Sequence, residues 1–166
     1  PLLAFGVRGI TGLEMTVYGP VRGLHSGHYG NWVPNPGMLL ARLLAGMKDQ
    51  KGRVQIRGFY DSVAPLGRLE KRALAEAPRM DDTLLQELQL QGPESDRTLN
   101  ESLLWPSLNV RGIRSGDVGR ETRNVIPATA TASLEMRLVK GNDPETMLDL
   151  VEAHLKRQGA TIVRDE

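Results

Sequence analysis

Apolar and polar residues alternate from residue 12 to 18, with Leu13, Met15 and Val17 on one side and Glu14, Thr16 and Tyr18 on the other. A period of two marks a half-buried strand. Residues 1–9 also read as strand. Gly19-Pro20 ends the alternation, and a glycine-rich loop carrying His25 follows at once. Asn35-Pro36 predicts a helix start, because Asn can cap and Pro fits the first helical position, where its missing N–H costs nothing. Met38, Leu39, Leu43 and Met47 then recur at helical spacing, Leu40 and Leu44 widen the apolar face, and Gly52 closes the element. A short strand is expected at residues 53–56.

From residue 61 to about 104 the character changes. Two short helices, 68–77 and 82–90, are separated by Pro78, and Gly92-Pro93 makes a break, so this stretch reads as a helical insertion between strands. Residues 108–113 and 128–139 are expected as strands joined by a flexible segment containing Gly116 and Gly119. Asp143-Pro144 repeats the capping logic. Met147, Leu150, Val151 and Leu155 form a core stripe running to a stop at Gly159, with Lys156 and Arg157 near the negative end of the helix dipole. A last strand is expected at 160–163. Without the insertion and the short strand at 53–56, the order is strand, helix, strand, strand, helix, strand. That order predicts a single α+β domain over residues 1–166. Its arrangement is the ferredoxin-like split βαβ, a four-stranded antiparallel sheet with two helices on one face.

A chain of 166 residues can bury one real core. Its 21 Lys and Arg against 20 Asp and Glu leave a net charge of +1, which argues against a nucleic-acid partner. The absence of cysteine excludes a disulfide framework and a thiolate metal site, and leaves the compartment open. No apolar run approaches the roughly 20 residues of a membrane span. The first residue is Pro1, and no secretory leader is visible, so the chain reads as a fragment.

Three polar residues stand out as candidates. His25, beside small residues on an exposed loop, can donate a hydrogen bond to a developing oxyanion; a histidine that is merely surface or a satisfied part of the interior has the same appearance. Asn124 precedes Val125-Ile126-Pro127, where Pro127 favours an extended approach to the long strand, and its amide suits a carbonyl or carboxylate; a plain turn Asn has the same appearance. Arg137 interrupts an apolar strand, where a guanidinium can grip a carboxylate bidentately or simply be solvated. His28 lies three residues beyond His25 on the same loop. Without a carboxylate or third ligand the pair is a poor zinc site, so His28 reads as structural. His154 reads as a helix-surface residue.

The stretches Gly23-Leu24-His25-Ser26-Gly27-His28-Tyr29-Gly30 and Asn124-Val125-Ile126-Pro127, the latter followed by Leu134-Glu135-Met136-Arg137, carry a family resemblance. Gly58-Phe59-Tyr60-Asp61, Trp105-Pro106-Ser107-Leu108 and residues 143–155 extend it over nearly the whole chain. The chain resembles the lid, or dimerisation, domain of the dizinc peptidases that include the carnosinase-like dipeptidases, glutamate carboxypeptidases, acetylornithine deacetylase and succinyl-diaminopimelate desuccinylase. The carnosinase-like branch fits best, although Gly23 stands where those dipeptidases usually have Asp.

The resemblance implies a homodimeric metallopeptidase or amidohydrolase parent that cleaves dipeptides, short peptides or N-acyl amino acids. His25 would cross the dimer interface to stabilise the tetrahedral intermediate, Asn124 would bind substrate, and Arg137 would grip the substrate's free carboxylate. The metals, two zinc ions or other divalent ions, and all their ligands would belong to a separate catalytic domain absent from this chain. The alternative is a stand-alone ferredoxin-like module for small-molecule binding or oligomerisation. A self-contained hydrolase is disfavoured, since the chain offers no Cys, no serine elbow and no plausible triad.

Overall fold

The computed structural model describes residues 7–164. At its centre runs β5 (Thr129–Leu138), which pairs antiparallel with β1 (Gly9–Tyr18) on one side and with β3 (Ser107–Arg114) on the other. Strict alternation on β5 sends Ala130, Ala132, Leu134, Met136 and Leu138 to one buried face. Thr131, Ser133, Glu135 and Arg137 occupy the other.

The two long helices cover the apolar face, and side-chain size decides where each one sits. Small Ala130 and Ala132 leave room for α2 (Pro36–Ala45), whose Leu40 packs over them beside Met15 and Val17. Larger Leu134, Met136 and Leu138 meet Met147, Val151 and Leu155 of α6 (Pro144–Arg157). Each fully buried Leu, Met or Val contributes about 1.5–3 kcal/mol. Both helices begin as the sequence predicts. Asn35 Oδ1 accepts from the Gly37 amide at 2.9 Å and Asp143 Oδ2 from the Thr146 amide at 2.9 Å. The hydrogen bonds from Thr146 hold the Asp143 carboxyl below its ordinary pKa.

Several expected boundaries move. Of the strand expected at 1–9, residues 1–6 lie outside the described residues, and β1 begins at Gly9. The first long helix ends at Ala45 with Gly46 as its cap, short of Gly52, so Met47 is buried from a turn. Residues 53–56 form only an isolated bridge, Lys48 to Val54, yet Val54 and Ile56 still enter the core. Residues 160–163 are not a strand. Ala160 and Ile162 pack on the core while Thr161 and Val163 face outward, but among the described residues no ladder partner supplies backbone hydrogen bonds. The main sheet therefore has three strands among the described residues.

The insertion holds α3 (Arg68–Glu76), α4 (Asp81–Glu87) and a further short helix, α5 (Leu99–Ser102), none of which contributes a buried residue. Polar and aromatic ties hold it. Asp81 accepts from the Leu99 amide at 2.7 Å, Lys48 meets Glu94 at 2.6 Å, and the Arg97 guanidinium lies 4.3 Å from the centre of the Trp105 ring. Trp105 in turn meets the edge of Tyr60, at 5.7 Å between centroids, and the Tyr60 hydroxyl accepts from the Val54 amide at 2.9 Å.

His154 is a correction with a consequence. It lies on the inner flank of α6, only 8 % exposed, rather than on the helix surface, and its Nε2 is 2.6 Å from Gln158 Nε2. Burial, seconded by the Arg157 charge, lowers its pKa, and a backbone contact with Gly46 opposes the shift. The unfolded chain takes up a proton at His154 near the ordinary value of 6.5, whereas the folded chain does so only at lower pH. Stability is therefore full above that value and declines as pH falls below it. Urea unfolding midpoints should drop between about pH 7.5 and about pH 5.5, and His154→Leu should flatten that slope. An unchanged slope in the variant would assign the dependence to other groups.

Candidate functional site

The loop after β1 is more ordered than its glycines suggest. β2 (Leu24–His25) pairs antiparallel with β4 (Val125–Ile126), setting Leu24 opposite Ile126 and His25 opposite Val125. The Ser26 amide donates to the Asn124 carbonyl at 2.9 Å, so the backbones that carry His25 and Asn124 run close together at this small ribbon. Gly23 suits the packing there, because a Cβ at that position would stand 2.8 Å from Val125 Cγ1. Just before Asn124 the chain is tied by Arg123, whose Nη2 donates to Asp117 Oδ2 at 2.7 Å.

A single helical turn, α1 (Ser26–Tyr29), starts directly after His25. His25 caps it: Nδ1 accepts from the Gly27 amide at 3.1 Å. A Cβ on Gly27 would lie 2.8 Å from His25 Cε1, so only glycine admits the ring in this position. His28 comes back over the same ring, with centroids 4.7 Å apart and a 37° tilt. Both imidazoles and the Asn124 side chain are exposed. The motif at residues 23–30 did not mark the Gly27 amide as a partner of His25. The available signal was an acceptor side chain two residues before a glycine amide, the same spacing as Asn35 and Gly37.

Arg137 lies elsewhere. It sits opposite Ile10 on β1 and Ser107 on β3, at the end of the sheet where β1 begins. The β2–β4 ribbon adjoins the other end, where Tyr18 faces Thr129 and the Gly19 amide donates to the Ala128 carbonyl at 2.7 Å. Eight residue steps along β5 lead from Thr129 to Arg137, roughly 26 Å of extended chain. The structure therefore brings His25 and Asn124 together and keeps Arg137 apart from both. Nor is Arg137 on an otherwise apolar strand. It belongs to the polar face of β5, and its Nε lies 3.4 Å from Glu135 Oε1, with the Arg side chain 39 % exposed. Glu135 was legible as a neighbour, since residues two apart on a strand share a face.

Among the described residues no group of three or more His, Cys, Asp or Glu side chains could hold a metal ion. No described helix is long and apolar enough to cross a membrane. A cleft of about 440 Å³ opens between the turn at 48–54 and the insertion, lined among others by Lys48, Arg53, Arg97 and Trp105; neither it nor a smaller cleft beside it is lined by His25, Asn124 or Arg137.

The chain is 29 % identical to the Cys-Gly metallodipeptidase of Schizosaccharomyces pombe over 167 residues, covering 95 % of this chain and 34 % of that protein. It is 30 % identical to the Beta-Ala-His dipeptidase of Mus musculus over 160 residues, covering 94 % of this chain and 32 % of that protein. The solved structure of the dipeptidase Dug1p from Saccharomyces cerevisiae superimposes with a TM-score of 0.82 at 27 % identity, over 96 % of this chain and 35 % of that one. The chain thus spans about a third of the length of the curated relatives it matches. The model of the peptidase dimerisation domain of the M20 family matches residues 5–162, and the chain belongs to that family.

Proposed function

We propose that this chain is the dimerisation and substrate-binding lid of a metallopeptidase that hydrolyses dipeptides or short peptides, and that it serves two catalytic centres at once. The observation that carries this reading is the placement of His25 and Asn124 at one end of the sheet and Arg137 at the other. A strand of roughly 26 Å lies between the sheet ends that hold them, much longer than the backbone of one dipeptide, about 7 Å. In a two-fold dimer the two ends need not meet at one substrate. His25 and Asn124 reach the partner's centre, where the imidazole donates to the carbonyl oxygen as negative charge develops on it and the Asn124 amide holds a neighbouring carbonyl or carboxylate. Arg137 serves its own subunit's centre and binds the substrate's terminal carboxylate, with Glu135 keeping the guanidinium in place. Two zinc or other divalent ions, held by protein outside this chain, would activate water and polarise the scissile carbonyl.

The free side of β3 supports the dimer. A bulge at Arg111, whose Nη2 donates to Ser133 Oγ at 2.9 Å, offsets the ladder, and beside it Val110 and Ile113 are left 47 % and 63 % exposed on the helix-bearing side. An edge strand with uncovered apolar side chains is a surface suited to a second copy. The four-stranded ferredoxin-like sheet belongs to the same proposal. The alternation of Ala160 and Ile162 inward suits a fourth strand beside β1 in the full-length protein.

Subunit complementation tests the reading. His25→Ala and Arg137→Ala versions of the full-length protein, each nearly inactive on Cys-Gly, are unfolded together and refolded as mixed dimers. The mixture should recover about one quarter of wild-type activity, because half the dimers are mixed and each of these regains one intact centre. No recovery, with mixed dimers demonstrably formed, would place both residues in one centre and sink the proposal.

A further inference from the structure

We infer that the Gly27 amide is a positioning group that fixes the tautomer of His25, so that the ring presents Nε2–H as its donor to the substrate carbonyl. This rests on the oxyanion role proposed for His25 and adds which nitrogen acts and what holds it. An amide N–H can only donate, so Nδ1, 3.1 Å from the Gly27 nitrogen, keeps its lone pair. In a neutral imidazole the proton then sits on Nε2, on the far side of the ring. His25 is exposed, so that N–H faces outward, where another surface can present a carbonyl.

Two further contacts limit the ring to this pose. His28 lies against it at 4.7 Å between centroids. Gly27 has no Cβ, and one would stand 2.8 Å from Cε1 and 3.1 Å from Nδ1. The loop therefore uses its second residue after the histidine twice, as donor and as open space. The donor costs no reorganisation when the oxyanion forms, which is the condition under which such a contact accelerates a reaction.

The test uses two isosteres in the metal-loaded full-length protein, with Cys-Gly as substrate. In His25→Asn the side-chain carbonyl can keep the Gly27 contact, as Asn35 does with Gly37 at 2.9 Å, but nothing reaches the Nε2 position. In His25→Gln the amide nitrogen reaches the Nε2 position while the cap is weakened. The lock predicts that His25→Gln retains kcat at least about tenfold above His25→Asn, and that His25→Asn falls to the level of His25→Ala. Gly27→Ala should also lower kcat at least about tenfold, with KM moved far less, and long-range proton–nitrogen spectra of histidine-labelled protein should show His25 losing its single Nε2–H form. Equal activity of the Gln and Asn variants, or Asn above Gln, would overturn the lock while leaving the role of His25 standing. Wild-type activity in His25→Ala would remove that role itself, and the lock with it.

Discussion

His25→Ala in the full-length protein should lower kcat roughly 10²–10³-fold on a dipeptide substrate, with metal content unchanged. The magnitude is that of a single preorganised oxyanion donor, about 2.7–4 kcal/mol. The argument for so large an effect is geometric. A surface histidine that merely solvated a loop would contribute nothing to the barrier, but this ring is clamped between the Gly27 amide and His28 with its free edge outward. Under the proposed oxyanion role, deleting it removes a contact that strengthens as charge moves onto the carbonyl oxygen, so kcat and kcat/KM should fall together. A change confined to KM would show that His25 binds ground state and transition state alike, and the oxyanion role would be wrong. The fold should tolerate the change, because His25 is exposed and its cap belongs to a helix of only four residues.

The largest effect on stability should come from Phe59→Ala, at about 3–5 kcal/mol. Phe59 is 0 % exposed and sits in the main core with Ile56, Leu108, Met136 and Met147, although it belongs to no helix or strand. Its ring fills space that no backbone element can collapse into, so truncation leaves a cavity in a close-packed interior. Against a typical domain stability of about 5–15 kcal/mol, the loss should lower the melting temperature by about 10 °C or more. Thermal unfolding of the chain followed by circular dichroism measures it. A shift of only about a degree or two would mean that the Gly58–Asp61 turn moves to fill the gap, and that the core is more plastic than its burial suggests.

Local pattern was a sound guide wherever one residue's neighbours along the chain settled its environment. Asn35-Pro36 and Asp143-Pro144 start helices because a capping oxygen needs only the two or three residues that follow. The alternation from Leu13 to Val17 and along Ala130 to Leu138 marks the buried face because a strand's period is fixed by its own backbone. Where a distant partner decides, pattern misled. Residues 160–163 alternate like a strand but find no ladder among the described residues. Residues 53–56 look like one and supply buried side chains from a turn. His154 reads as surface because it lies on the flank of the apolar stripe, yet Gly46 and Gln158 lie against it.

The candidate site divides in the same way. The sequence by itself determined which residues can do the chemistry, an imidazole in a glycine-rich loop, an amide before Val-Ile-Pro and a guanidinium on a long strand, because those are properties of side chains and short motifs. Only the tertiary structure decided their grouping. Register between β2 and β4 sets His25 opposite Val125, one residue from Asn124, and the length of β5 carries Arg137 to the far end of the sheet. Strand pairing joins residues about a hundred positions apart, and its distances are fixed by backbone hydrogen bonds that no local pattern encodes.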